Sequence, residues 1–394
     1  MELALARPES GPARGSEAVF PAEEFATRID RIQKALAPLG ADGLLLTGPE
    51  NIFWATGRQT AGYFAFQALV VPANGDPVLL VRQLETTGAR ASTWLADIRA
   101  WEDGEDPARA LGALVAELKL RHLAIERNGW FVSPDLFDRI ASELFGARLS
   151  DGSGLVEGLR LVKSAAELAA IRLAASYAET GLSAAIDACR PGTSENEVSA
   201  AMMAAAISAG SEAMAMEPLV SSGPRSGIPH ATWRRRVMRE GDGVFLELAA
   251  SRDRYHAALM RSVWIGEAPA DARRMMDTAL RALDAALGAM RPGVAGSAPH
   301  DAAQIVIDAA GHTAAFRKRT GYSIGAAFAP DWGEGAIMSL FSNVSRLLEP
   351  GMVFHLPVTL RRHGVFTVGA SETVIVTENG VEPLSGLPRG MTIR

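Results

Sequence analysis

Beginning at Asp151, the stretch DGSGLVEGLRLVKSAAEL passes from Gly and Ser into a long run of Ala, Leu and Ile at helical spacing. Small flexible residues between two patterned regions mark a place where few contacts cross, and so a boundary between two cores near Gly154 to Arg160. Length makes the same demand: the chain has 394 residues, and a single core stops growing near ~250–300. Two domains are expected, over residues 17–157 and 158–394.

Before the break, Phe25, Ile29, Ile32 and Leu36 recur at three- and four-residue spacing within Pro21 to Leu39, which predicts an amphipathic helix. Short apolar runs follow at GLLLTG, FQALVVP, DPVLLV and HLAIE. They alternate with helical stretches near Pro107 to Leu118 and Pro134 to Leu144, so the first domain reads as α/β. After the break two helices are predicted, Ala165 to Ala188 and Ser194 to Ala209, then strands in AMEPLVSSG, GVFLELAAS and LMRSVWIG. A second round repeats the order: helices Ala270 to Met290 and Ala298 to Ala310, then strands in GYSIGAAF, GMVFHLPVTL and VGASETVIVTE. Two helix-helix-strand sets predict an internally duplicated α+β domain.

Composition removes several function classes. The net charge of −6 comes without a long basic run, so no nucleic-acid partner is expected. The opening MELALARPESGPARGSE breaks at Arg7 and Pro8 before any apolar stretch long enough for a signal peptide or a membrane span, which points to the cytoplasm. A single cysteine, Cys189, excludes disulfides within the chain and reads as a buried thiol. Lysine occurs only at 34, 119, 163 and 318, leaving few candidates for Schiff-base chemistry.

Several phrases occur in a telling order: GLRLVKSAAELAAIRLA, SSGPRSGIPHATWRRRVMREGDGVFLELAA, RYHAALMRSVWIG, TGYSIG, LEPGMVFHLP and SETVIVTENGVEPL. Together they resemble the creatinase/aminopeptidase P, or pita-bread, family. The resemblance implies an N-terminal creatinase-like α/β domain and a C-terminal pita-bread catalytic domain. It also implies a homodimer in which the N-terminal domain of one subunit lies near the other's pocket.

The peptidase branch of that family holds two metal ions with two Asp, one His and two Glu on these segments, because bridging carboxylates hold ions ~3.5–4 Å apart. The matching positions here are Glu247, Ala258, Tyr322, Pro357 and Ser371. Ala, Pro and Ser do not replace carboxylates as ligands, so no metal and no other cofactor is expected. The phrases RYHAALMRS, TGYSIG, PDWGEG and SETVIVTE are similar to those of the metal-independent branch, and more to ectoine hydrolases than to creatinases. That resemblance implies hydrolysis of a C–N bond, such as that of a cyclic amidine or amide, in a small zwitterionic metabolite. A creatinase-like guanidinium hydrolase, a non-catalytic binding protein and an Xaa-Pro metallopeptidase are the alternatives, in that order.

Hydrolysis without a metal needs a carboxylate to attack or activate water, a proton donor for the leaving nitrogen and a clamp for the substrate carboxylate. Glu247, in the apolar strand GVFLELAA, is the candidate carboxylate, because burial raises its pKa. His230, at the position of the family's reaction-centre histidine, is the candidate acid and base. His256 either shares that role or is a hydrogen-bonded strand histidine. Tyr322 is read as a hydrogen-bond donor to the substrate or as core. Glu334 and Asp331, in APDWGEG, are candidate clamps for a cationic group. Glu372, beside Ser371, is a further candidate substrate contact that with Glu334 would grip a guanidinium, although strand alternation favours a structural role. Arg58 and Phe64 are expected to reach over the partner's pocket, Arg58 as the carboxylate grip. Arg261 is read as a structural partner, and Arg82 as a weak clamp candidate. Gly321, Ser323 and Gly325 spell G-x-S-x-G, but no buried strand precedes them and no helix follows, so a nucleophile elbow is discounted.

Overall fold

A computed structural model describes residues 13–394. The first twelve residues, on which much of the expectation about a leader rests, lie outside the described residues. The chain divides into two units, one ending at Arg160 and one spanning Leu161–Arg394.

In the first unit the helices are α1 (Ala22–Leu36), α2 (Pro49–Thr56), α3 (Thr86–Ser92), α4 (Pro107–Glu117), α5 (Pro134–Glu143) and α6 (Leu155–Arg160). Its strands are β1 (Gly43–Leu46), β2 (Ala68–Pro72), β3 (Val78–Arg82), β4 (Asp97–Trp101), β5 (His122–Ile125) and β6 (Arg148–Asp151). They form one six-stranded sheet in the order β4-β3-β2-β1-β5-β6. The β1–β2 and β2–β3 pairs are antiparallel and the other three parallel. Leu44 and Leu46 pack with α1 on one face, and Leu45 with α4 on the other. Coverage on both faces explains why β1 reads as an unbroken apolar run.

The second unit opens with α7 (Ala165–Ala188) and α8 (Glu195–Ala209). Both start at capping boxes, Ser164 with Glu167 and Ser194 with Glu197, in which the serine side chain and the glutamate satisfy each other's free backbone N–H groups. Next come β7 (Leu219–Ser222), β8 (Gly243–Arg252) and β9 (Tyr255–Trp264). The order then repeats with α9 (Ala270–Ala289), α10 (Ala298–Ala309), β10 (Gly321–Ser323), β11 (Ser339–Leu340), β12 (Val353–Arg362) and β13 (Phe366–Thr377), followed by β14 (Gly380–Pro383) and β15 (Thr392–Ile393). The sheets run β15-β9-β8-β7 and β11-β10-β12-β13-β14. The expected strand in GYSIGAAF stops at Ser323. Ile324 and Ala326 make only isolated bridges to Gly333 and Tyr255, and Pro330, without an N–H, could not extend a ladder.

Each helix pair covers one sheet, and alternation decides what remains. Val244, Leu246, Leu248 and Ala250 of β8 pack under α7 and α8. Phe354, Leu356, Val358 and Leu360 of β12 pack with α9 and α10, as do Val368 and Ala370 of β13. The intervening residues therefore share the inner face of this unit. The sheets meet there along β9 and β13, where the Ser262 hydroxyl donates to Gly369 O at 2.8 Å and accepts from its N–H at 3.0 Å. Thr373 Oγ1 likewise bridges both backbone groups of Ala258.

Candidate active site

Glu247 sits at the centre of β8 on the inner face, opposite Met260 of β9, and the next inner pair is Ala249 with Ala258. It is 7% exposed. No hydrogen bond or ion pair reaches its carboxylate among the described residues. Burial pushes its pKa up to about 7 against the pull of Lys318 and Arg361, with a smaller upward push from Asp331. A carboxylate left without partners in an apolar strand is costly to ionise, and that cost makes it reactive.

The cations facing it come from the second half of the unit. Lys318 Nζ donates to Thr359 Oγ1 at 2.8 Å. Two residues along β12, Arg361 Nε donates to Thr367 Oγ1 at 2.9 Å. Lys318 keeps some accessible surface, yet desolvation and the nearby Arg361 draw its pKa down to about 7, against the opposing pull of Glu247. Lys318 is thus half-buried, with part of its surface open to water.

Beside these lies a hydrogen-bonded chain. Trp332 Nε1 donates to the Tyr322 hydroxyl at 2.9 Å, that hydroxyl pairs with His355 Nδ1 at 2.8 Å, and His355 Nε2 pairs with Ser371 Oγ at 2.7 Å. Burial, reinforced by Lys318 and Arg319, holds the His355 pKa down at about 3, so the ring is neutral and carries one proton. Either the tyrosine donates and the ring passes its own hydrogen to Ser371, or both bonds reverse. Burial, and secondarily Glu247, raises the Tyr322 pKa far above that of a free phenol, so the hydroxyl keeps its proton.

Other expected site residues have different surroundings. His256 is buried with both nitrogens bound to backbone: Nε2 accepts from Ala215 N–H at 3.0 Å and Nδ1 meets Arg254 O at 2.8 Å. Nδ1 must therefore hold the single proton. Burial takes its pKa to about 4, so no nitrogen is left to shuttle protons, and it is the hydrogen-bonded strand histidine that the sequence left open. Glu334 is an ion-pair partner of Lys163 at 2.7 Å and accepts from Ser323 Oγ at 3.0 Å, so Ser323 is a structural donor and Glu334 is not a free clamp. Glu372 accepts from Arg261 at 2.9 Å and Arg389 at 3.0 Å. Asp331 is exposed and caps its own turn through Gly333 N–H.

Within the first unit, Arg58 is buried and ion-paired with Glu85 at 2.6 Å, and Arg82 pairs with Asp103. The two terminal nitrogens of Arg58 are taken by Gln59 O and Glu85, and its Nε is buried without a partner. Phe64 is 79% exposed. His230 is exposed at a turn with φ +53°. Its loop is clasped by buried Glu195, which accepts from Ser222 before it and from Arg225 and Arg234 within it. Sequence reasoning missed Lys318, Arg361 and His355. The alternation in VFHLPVTLR, with apolar residues at every second position, is the signal that sets His355, Thr359 and Arg361 on one face.

Residues 169–378 match the model described as metallopeptidase family M24, and residues 28–162 match the creatinase/prolidase N-terminal domain. The chain belongs to family M24. Within that family of hydrolases it is 27% identical to the ectoine hydrolase of Halomonas elongata, over 95% of this chain and 98% of that one. It is 31% identical to the uncharacterized hydrolase/peptidase y4tL of Sinorhizobium fredii, over 95% and 98%. Its structure superposes on that of dipeptidase PepE from Mycobacterium ulcerans with a TM-score of 0.81 at 25% identity, covering 95% of this chain and 99% of that one. The prolidase from Thermococcus sibiricus shares the fold, with a TM-score of 0.85 at 21% identity over 94% and 99%.

The metal centre implied by the M24 description finds no matching donor set. Of the five positions that the resemblance matches to ligands, Glu247, Ala258, Tyr322, Pro357 and Ser371, only Glu247 is a carboxylate. Tyr322 and Ser371 are tied into the His355 chain, and Pro357 and Ala258 offer no side-chain donor. Among the described residues no group of three or more His, Cys, Asp or Glu could hold an ion, and no helix is long and apolar enough to cross a membrane.

Proposed function

We propose that this M24 hydrolase cleaves a C–N bond in a small zwitterionic metabolite without a metal, as a cyclic amidine or amide hydrolase. The observation carrying this reading is Glu247, buried, without a hydrogen-bond or ion-pair partner and with its pKa pushed up to about 7; the sequence resemblance matches it to a ligand position of the metal-holding branch. Its carboxylate attacks the carbon of the C–N bond, or activates the water that does. In the first case a covalent adduct forms between Glu247 and the carbon, the C–N bond breaks as the nitrogen takes a proton from His230, and water then releases the acyl group, as an amide from an amidine or as an acid from an amide, and restores Glu247. With the His355 ring proton on Nδ1, the Tyr322 hydroxyl accepts from both Trp332 and His355 and its own proton is left to donate to the developing charge. His230, on its clasped loop, exchanges protons with solvent. The likeness to an ectoine hydrolase supports this branch.

We also propose a cytoplasmic homodimer, and the exposed Phe64 supports a partner contact there. The likeness to PepE favours a dipeptidase as the second reading, against which the missing ligands weigh. Proton NMR of EDTA-treated protein with ectoine, creatine and an Xaa-Pro dipeptide in parallel tests the choice. Ring opening of ectoine or urea release from creatine without metal is the expected result. Turnover of the dipeptide alone, and only with manganese, would overturn it.

A further inference from the structure

Glu247 faces two basic groups, and neither has a carboxylate of its own. Lys318 rests on the hydroxyl of Thr359 and Arg361 on that of Thr367. Neither makes an ion pair among the described residues. Three other enclosed cations in this unit are treated differently: Lys163 has Glu334, Arg261 has Glu372, and Arg236 has Asp242, whereas the half-buried Arg319 also rests on a hydroxyl, that of Ser339. A partly desolvated cation without a counter-ion is unfavourable, and two side by side repel, so the pair calls for an anion.

The shape of the face sets the ligand's class. Thr359 and Arg361 alternate along β12, so their side chains leave the strand on the same side. The position opposite Thr359 is Gly369, where φ is +138° and a Cβ would come within 2.6 Å of Val358 O. No side chain therefore reaches across from β13 at that level. On the Glu247 side the inner residues are Met260 and Ala258, with Pro357 and Ser371 paired between β12 and β13. A ligand completing this set has one anionic end, a small body with apolar surface, and a polar or cationic group for Glu247.

We propose that Lys318 and Arg361 form a carboxylate-binding ledge that grips the anionic end of the substrate and presents its C–N carbon to Glu247, which makes the substrate a small monocarboxylate. The ledge takes the role that the sequence assigned to Arg58, whose guanidinium is occupied by Glu85. It rests on the hydrolase reading of the same pocket, and adds the group that sets specificity. Both residues donate charge-assisted hydrogen bonds to the carboxylate. Thr359 and Thr367 hold them in place between turnovers.

The test is calorimetric titration of the Glu247→Gln chain, which binds without turning over, with ectoine, creatine and an Xaa-Pro dipeptide, each against its own carboxamide. At least one of the three acids should bind about 10- to 100-fold more tightly than its amide, the worth of one or two hydrogen bonds to a charged group. Lys318→Met and Arg361→Met, each added to Glu247→Gln, should lower the affinity for that acid toward that of its amide and leave the amide unchanged. Lys318→Arg should keep most of the preference, so that a loss in the methionine variant reads as charge and not packing. Equal binding of every acid and its amide, equal weakening of both by Lys318→Met, or no binding of any acid would overturn the ledge. The outcome separates from that of the function test. Metal-free turnover indifferent to amide replacement removes the ledge and keeps the hydrolase. Acid preference lost in Lys318→Met, with no metal-free turnover, removes the hydrolase and keeps the ledge.

Discussion

Glu334 and Glu247 belong to the same unit and are almost equally enclosed, at 6% and 7% exposure, yet their surroundings treat them in opposite ways. The turn around Glu334 gives its carboxylate the Lys163 ammonium and the Ser323 hydroxyl, and Gly325 leaves it room, since a Cβ there would lie 2.8 Å from Oε1. The strand around Glu247 gives that carboxylate nothing within bonding reach and leaves Lys318 and Arg361 unpaired across from it. The same residue type at the same depth is architecture in one region and stored reactivity in the other. Partners, not burial, make the distinction.

If that contrast is right, the largest effect belongs to Glu247→Gln. Turnover should fall by about 10⁴-fold or more, since the acting oxygen loses its nucleophilic and basic character, while thermal unfolding at neutral pH should occur no lower than in the parent. Retained turnover would place the chemistry elsewhere. On the other side, Lys163→Met strands the Glu334 charge and should cost about 3–5 kcal/mol by denaturant unfolding. A loss below about 1 kcal/mol would show that the two carboxylates are not so different. The smallest effect is in the pH dependence. The Glu247 carboxyl, at about 7 when folded against 4.5 as its reference value, binds a proton between those values only in the native state, so stability falls as pH rises through that window. The Lys318 ammonium, at about 7 against 10.5, loses its proton early in the native state, so stability recovers from about pH 7 toward 10.5. Together they make the site most destabilising near neutrality. Glu247→Gln should gain roughly 1–3 kcal/mol over the parent above pH 7 and nothing below pH 4.5. In catalysis, an ionised Glu247 and a protonated Lys318 give a narrow bell in kcat/KM centred near pH 7. A profile flat from pH 6 to 9 would detach both groups from the reaction.

The fold was legible where local chemistry and periodicity agree. Ser164 with Glu167 and Ser194 with Glu197 announce two helices, and the apolar alternation of GVFLELAA and VFHLPVTL announces the strands that hold the site. The short edge strands β4 and β6 went unseen, because DIRAW and RLSD carry too much charge to read as sheet. In the site, Glu247 stood out because one carboxylate in an apolar run is conspicuous, whereas Glu372, offered as a substrate contact with alternation favouring a structural role, is held by Arg261 and Arg389. Lys318 did not stand out, because FRKRT reads as a solvated basic run and only the approach of Thr359 from forty residues away makes it part of the site. His256 attracted attention by lying beside Tyr255 on the hairpin, but the backbone groups of Ala215 and Arg254 that occupy its ring are contributed without regard to residue type. Nothing in a motif could reveal them.

The chain from Trp332 through Tyr322 and His355 to Ser371 bears on how such a protein can change over generations. Restoring a glutamate at 371 alone would take from His355 its second partner and bury a new charge beside Pro357, which lacks a group to receive it. Restoring a histidine at 322 alone would unhook Trp332 from its acceptor. Each of these two steps toward a two-ion site therefore disturbs the hydrogen-bonded chain before any ion can compensate. The passage between the two chemistries crosses a valley, and the hydrogen-bonded chain acts on lineages as a ratchet.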